Sequence, residues 1–137
     1  MIEELAARVR KVGKVLLIGN GGSFANAMHI ANDLVCSCNI CAITMDPASF
    51  SALANDYGHF TAFSKWIAVC GRPGDLLIAL SGSGKSLNIL NACAEAERIG
   101  MDVHREFGAA QGFDMQAAEE RQIWLGHELL RCLRDKN

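Results

Sequence analysis

The sequence predicts an α/β fold, a doubly wound parallel sheet flanked by helices. Three observations predict it. Two apolar runs, Val15-Leu16-Leu17-Ile18 and Leu76-Leu77-Ile78-Ala79-Leu80, lack polar alternation, as strands buried on both faces do. Each run feeds a turn of small residues and then a stretch with helical spacing. Strand-length and helix-length segments alternate along the chain, which calls for parallel strands joined by crossovers.

The elements follow in order. Residues 2–12 put Ile2, Leu5, Ala6, Val9 and Val12 at helical spacing, and Gly13 closes that helix. Residues 14–19 form the first strand. Ser23 is placed to cap the next helix, which runs to about Val35. Residues 40–44 make a second strand. Pro47 fits the first turn of a short helix ending near Ala54, and Asn55-Asp56-Tyr57-Gly58 reads as a turn. Residues 60–69 are helical, with Phe60, Phe63, Trp66 and Ile67 on one side. Gly71-Arg72-Pro73-Gly74-Asp75 is a turn before the strand at 76–80. A helix from Ser86 to Arg98 stops at Gly100. Residues 101–107 are a fourth strand, 108–112 a loop, and 114–134 a long terminal helix.

Composition narrows the function. The 137 residues suit one domain, 1–137, and half of them are hydrophobic. A net charge of −2 offers no attraction to nucleic acid or to an anionic membrane. No apolar run approaches the roughly 18 residues of a membrane span. The acidic, amphipathic start, Met1-Ile2-Glu3-Glu4-Leu5, is unlike a signal peptide, so a cytoplasmic location is expected. Cys36, Cys38 and Cys41 cluster without a fourth partner nearby, and Cys70, Cys93 and Cys132 sit in apolar helical stretches. All six read as packing residues rather than a metal or disulfide framework.

The chemistry gathers at two corners. Gly19-Asn20-Gly21-Gly22-Ser23 follows the first strand, and Ser81-Gly82-Ser83-Gly84-Lys85-Ser86 follows the third. Small residues between a strand and a helix let backbone and hydroxyls approach an anion at the helix start. Two such corners predict a phosphorylated small molecule at the carboxyl end of the sheet. Gly84-Lys85-Ser86 has the end of a nucleotide P-loop, but the first glycine of that motif is replaced by Ala79. The first corner is not a dinucleotide fingerprint, because Phe24 stands where its third glycine belongs. His29 and Asp33, four apart, share a helix face beyond the first corner. That pair suits metal binding, proton transfer, or a plain structural hydrogen bond. His59 and His104 read as surface residues.

Five motifs together resemble one family: Gly19-Asn20-Gly21-Gly22-Ser23 with Ala27-Met28-His29; Ala54-Asn55-Asp56-Tyr57-Gly58; Gly71-Arg72-Pro73-Gly74-Asp75; Ser81-x-Ser83-Gly84-x-Ser86; and Ile123-Trp124-Leu125-Gly126-His127-Glu128-Leu129-Leu130. The chain resembles the sugar isomerase (SIS) domain family, and within it the phosphoheptose isomerases. The resemblance implies a flavodoxin-like three-layer sandwich, a homotetramer with shared sites, and isomerisation of sedoheptulose 7-phosphate through an enediol. It implies sugar phosphate held by Asn20, Gly21, Ser23, Ser81, Gly82, Ser83 and Ser86, with Asn55 and Asp56 lining the sugar site. It also implies zinc on His29, Asp33, Glu119 and His127, with Asp33, Glu119 and His127 as the acid/base residues.

The sequence departs from the family pattern in four places. Asp33 stands where Glu is usual, and Glu119 where Gln is usual, with Glu120 the alternative on that helix. Gly82 and Lys85 replace the usual Thr and Asn. The segments after Leu34 and after Val103 are short for the family: either the chain is a pared-down member, with a three- or four-stranded sheet that leans on oligomer contacts, or segments of a longer protein are absent from it. The departures also suit a second reading, a non-catalytic phosphosugar-binding domain that acts through protein partners, of the type that associates with a replication initiator.

Overall fold

The computed structural model describes residues 1–108 and 114–135. Among them, four strands form one parallel sheet: β1 (Val15–Ile18), β2 (Ala42–Thr44), β3 (Leu76–Ser81) and β4 (Asp102–Phe107), in the order β2-β1-β3-β4. Val15 lies opposite both Ala42 and Leu76, and Leu76 lies opposite Asp102. The chain steps outward one way from β1 to β2 and the other way from β3 to β4. The winding therefore reverses between β1 and β3, and ligands of such sheets bind in the crevice beyond the carboxyl ends at that reversal.

Among the described residues, six α-helices cover both faces: α1 (Ile2–Lys11), α2 (Gly22–Cys38), α3 (Pro47–Tyr57), α4 (Ala62–Cys70), α5 (Leu87–Ile99) and α6 (Met115–Arg134). Side chains alternate across a strand. Val15, Leu17, Leu76, Ile78 and Leu80 thus face one core with Leu5, Val9, Ile30, Leu34, Leu125 and Leu129 of α1, α2 and α6. Leu16, Ile18, Leu77 and Ala79 face the other core with Phe63, Ile67, Ile89 and Ala92 of α4 and α5. Burial on both sides explains the unbroken apolar runs, and the result is the expected three-layer sandwich.

Two polar clasps fix the sheet ends. Asp75 is buried, and its carboxylate accepts the Arg72 N–H at 2.9 Å and the Lys14 ammonium, pinning the start of β3 beside the start of β1. Arg8 of α1 donates two hydrogen bonds to the Asp102 carboxylate, at 2.7 and 2.9 Å, and ties the edge strand β4 to its helix layer.

The structure corrects several local expectations. Ser23 does not cap α2: the cap is Gly21, and the Ser23 hydroxyl turns inward to the terminal helix. Residues 55–57 are not a turn but the last turn of α3, whose N-terminus is capped by Asp46 accepting from the Ser49 N–H. Gly58 ends it at φ 95°, a backbone shape that glycine tolerates. Residues 59–61 form a 3₁₀ turn before α4. The α2 helix runs to Cys38 and ends on Asn39 in a left-handed conformation, so it exceeds the expected bound of Val35. His104 is half-buried on β4 rather than a surface residue. The loop expected at 108–112 lies largely outside the described residues.

Candidate functional site

The two corners meet. Gly19 lets the first fold back tightly, since a Cβ there would sit 2.6 Å from the Ser23 carbonyl. A cavity of about 280 Å³ opens between the corners, beyond β1 and β3. Asn20, Gly21 and Ser23 line one side, and Ser81, Gly82, Ser83 and Ser86 the other. Met115 and Glu119 of α6 complete the lining.

The hydroxyls are prepared to donate. Ser81 Oγ accepts the Gly84 N–H at 3.0 Å, and Ser83 Oγ accepts the Lys85 N–H at 3.1 Å. A hydroxyl has one proton and two lone pairs, so each serine keeps its proton for a ligand oxygen. Ser86 stands at the cap position of α5 without spending its side chain on the cap. Asn20 and Asn88 exchange two amide hydrogen bonds, at 2.9 and 2.8 Å, and so lock one corner to the other. Lys85 is exposed and does not line the cavity.

A second constellation lies farther along α2 and α6. His29 Nε2 is 3.2 Å from His127 Nε2 and 3.3 Å from Asp33 Oδ2, and His127 Nε2 is 3.9 Å from the same oxygen. Two imidazoles and a carboxylate converging this closely can hold a metal ion. Gly126 makes the approach possible: a Cβ there would lie 2.5 Å from Ile30 Cγ1, so the helices touch beside the two histidines.

Glu119 does not join that trio. Its carboxylate packs against Gly22 at the mouth of α2 and lines the cavity instead. Glu120, one residue on, is exposed. Asn55 and Asp56 are exposed on the end of α3, hydrogen-bonded to each other at 3.0 Å, and do not line the cavity. A larger cavity, about 370 Å³, lies at the opposite end of the sheet beside Arg10, Cys38 and Cys41. Among the described residues the cysteines form no ligand cluster there, and burial pushes the Cys38 thiol up, away from the reactive thiolate.

Two buried polar residues at the site escaped the sequence reading: Asn88 and Gln122, each 1% exposed. Their partners lie 68 and 99 residues away in the chain. The only signal was a polar residue on the inward stripe of each helix.

Comparison with known proteins adds the family. The model of the SIS domain family matches residues 1–104. The chain belongs to the SIS domain family. This SIS domain is 44% identical to the phosphoheptose isomerase of Burkholderia pseudomallei in an alignment 117 positions long that covers 72% of this chain and 59% of that protein. It thus spans about three fifths of the length of the curated relatives it matches. Among solved structures it resembles the phosphoheptose isomerase of Francisella tularensis, with TM-score 0.88, 28% identity, and 99% of this chain and 85% of that one covered. The Neisseria gonorrhoeae enzyme gives TM-score 0.84 at 29% identity, covering 98% of this chain and 83% of that one.

Proposed function

We propose that this SIS domain is a phosphoheptose isomerase, converting sedoheptulose 7-phosphate to D-glycero-D-manno-heptose 7-phosphate. One observation carries the reading. The hydroxyl-lined cavity and the His29–Asp33–His127 trio sit on the same pair of helices, α2 and α6. Seven residues separate Gly22 from His29 on α2, a rise of roughly 10 Å. An extended seven-carbon chain with a terminal phosphate suits a site whose anion end and reactive end are set apart in this way.

Ser81, Ser83 and Ser86 bind the phosphate, with Ser23 and Asn20 opposite. At the other end, Asp33 presents Oδ2 to both imidazoles, which leaves Oδ1 to take a proton from C1 of the ketose. The electrons form the C1–C2 double bond of an enediol, and Asp33 passes the proton it took on to O2. His127 then gives a proton to C2 and takes one back from O1, which becomes the aldehyde oxygen. The shorter reach of Asp33, one methylene less than the usual Glu, sets how closely the substrate must approach. Glu119 stands at the phosphate end, where it limits the cavity.

The trio suits zinc. Two imidazoles and a carboxylate whose nearest ligand atoms lie 3.2, 3.3 and 3.9 Å apart are a donor set that fits zinc. Zinc held by His29, Asp33 and His127 would polarise the sugar oxygens. The family resemblance further supports a cytoplasmic homotetramer of SIS domains.

Incubation with sedoheptulose 7-phosphate and zinc should yield the aldose phosphate. Absence of turnover with both zinc and manganese would count against catalysis. The position of Glu119, in the cavity and away from the trio, favours a second reading: a phosphosugar-binding domain without catalysis, acting through a protein partner. A metal-free protein that still binds the sugar phosphate would support that reading.

A further inference from the structure

The described structure holds a directed chain of hydrogen bonds that ends at the cavity. It begins at the Glu119 backbone carbonyl, which can only accept. Asn26 Nδ2 donates to that carbonyl at 2.9 Å, which fixes which way the Asn26 amide faces. The same nitrogen donates to Gln122 Oε1 at 2.8 Å, so the Gln122 oxygen must face Asn26. Gln122 Nε2 is then turned to Ser23 and donates to its Oγ at 2.9 Å. Gln122 is 1% exposed, so water does not compete for its amide. Among the described residues, the Ser23 hydroxyl proton has no acceptor in the protein, and Ser23 lines the cavity.

We propose that Gln122 is a positioning residue that sets the direction of the Ser23 hydroxyl, reserving its single proton for an oxygen of the bound phosphate. The inference rests on the phosphate reading above and adds a specificity to it. Ser81 and Ser83 are prepared in the same sense by backbone N–H groups. At Ser23 a side chain of α6 does this work instead, because the Ala25 N–H, placed two residues on as Lys85 is from Ser83, is spent on the Gly21 carbonyl at 3.1 Å. Apart from the Glu119 carboxylate on the α6 side, the cavity thereby presents donors from both corners, which favours a ligand group whose oxygens all accept. It also links the anion cavity to α6, the helix that carries His127.

The test is a double-mutant cycle of Gln122→Glu and Ser23→Ala, read by calorimetry with inorganic phosphate and by steady-state kinetics. A carboxylate at position 122 still accepts from Asn26, but it takes the Ser23 proton instead of donating to the oxygen. Phosphate affinity should fall about tenfold or more in Gln122→Glu, the scale of one lost hydrogen bond to a charged group. In the Ser23→Ala background the same change should cost much less. KM should rise with kcat nearly unchanged, which loss of packing alone would not produce. Gln122→Met, neutral and similar in size, should show a smaller loss that also vanishes with Ser23→Ala. Additive losses, or wild-type affinity in both Gln122 variants, would overturn the inference and leave the phosphate reading standing. If the unmodified chain binds no phosphate, both fall together.

Discussion

The anion cavity and the histidine trio are built on opposite principles. The cavity is made by topology. Two parallel strands deliver two small-residue corners to one place, and buried amides fasten them: Asn20 to Asn88, and Gln122 to Ser23. The trio is made by one helix contact. His29 and Asp33 lie on α2, His127 on α6, and only the close passage of Gly126 over Ile30 brings them together. His29 and His127 remain about half exposed, at 48% and 42%. A protein can thus fix its binding end through its core while leaving its reactive end open to substrate. The two halves should fail independently.

The largest effect belongs to the trio. His29→Ala and Asp33→Ala should lower kcat by about a thousandfold, with zinc content falling from one per chain toward none by elemental analysis. Calorimetry with inorganic phosphate should be little changed in the same variants. Next come the cavity serines. Ser81→Ala and Ser83→Ala should each weaken phosphate binding by roughly ten- to a hundredfold, while zinc content stays at the wild-type level. Gly126→Ala tests the helix contact itself. Forcing a methyl against Ile30 should cost about 1–3 kcal/mol of stability, read as a lower denaturant midpoint, and zinc affinity should fall more than phosphate affinity.

The smallest effect lies outside both halves. The hydrogen bond from Arg8, opposed in part by burial, holds the Asp102 carboxyl below its ordinary value of 3.8. A carboxyl whose folded value is depressed contributes stability that is fully present above its unfolded value and is lost as pH falls through the folded one. Both side chains are substantially solvated, so the contribution is well under about 1 kcal/mol. Arg8→Gln should therefore lower the thermal midpoint slightly at pH 7, and its difference from wild type should shrink below about pH 4. A difference that grows on acidification would contradict the sign.

The contrast between the halves also explains what could be read from the chain. The strands were legible because burial on both faces leaves no polar residue in Val15–Ile18 or Leu76–Leu80. Both corners were legible because their glycines and serines are contiguous. The pairing of His29 with Asp33 follows from helical spacing. Ser23 was misread because a serine at a helix start looks like a cap, and only α6 reveals that its hydroxyl points inward. The end of α3 was misread because Asn55-Asp56-Tyr57-Gly58 has turn composition, while the helix that precedes it carries the chain on to Gly58. Asn88 and Gln122 were invisible for a simpler reason. A buried amide is meaningful only beside its partner, and those partners are brought near by the sheet, not by the local chain.

The decisive measurement is a crystal structure with sedoheptulose 7-phosphate bound. The account predicts one molecule spanning both regions. Its phosphate should lie among Ser23, Ser81 and Ser83, and its carbonyl end against a His29–Asp33–His127 trio of the same or a neighbouring copy. A phosphate bound elsewhere, or a sugar chain that leads away from every such trio, would contradict it.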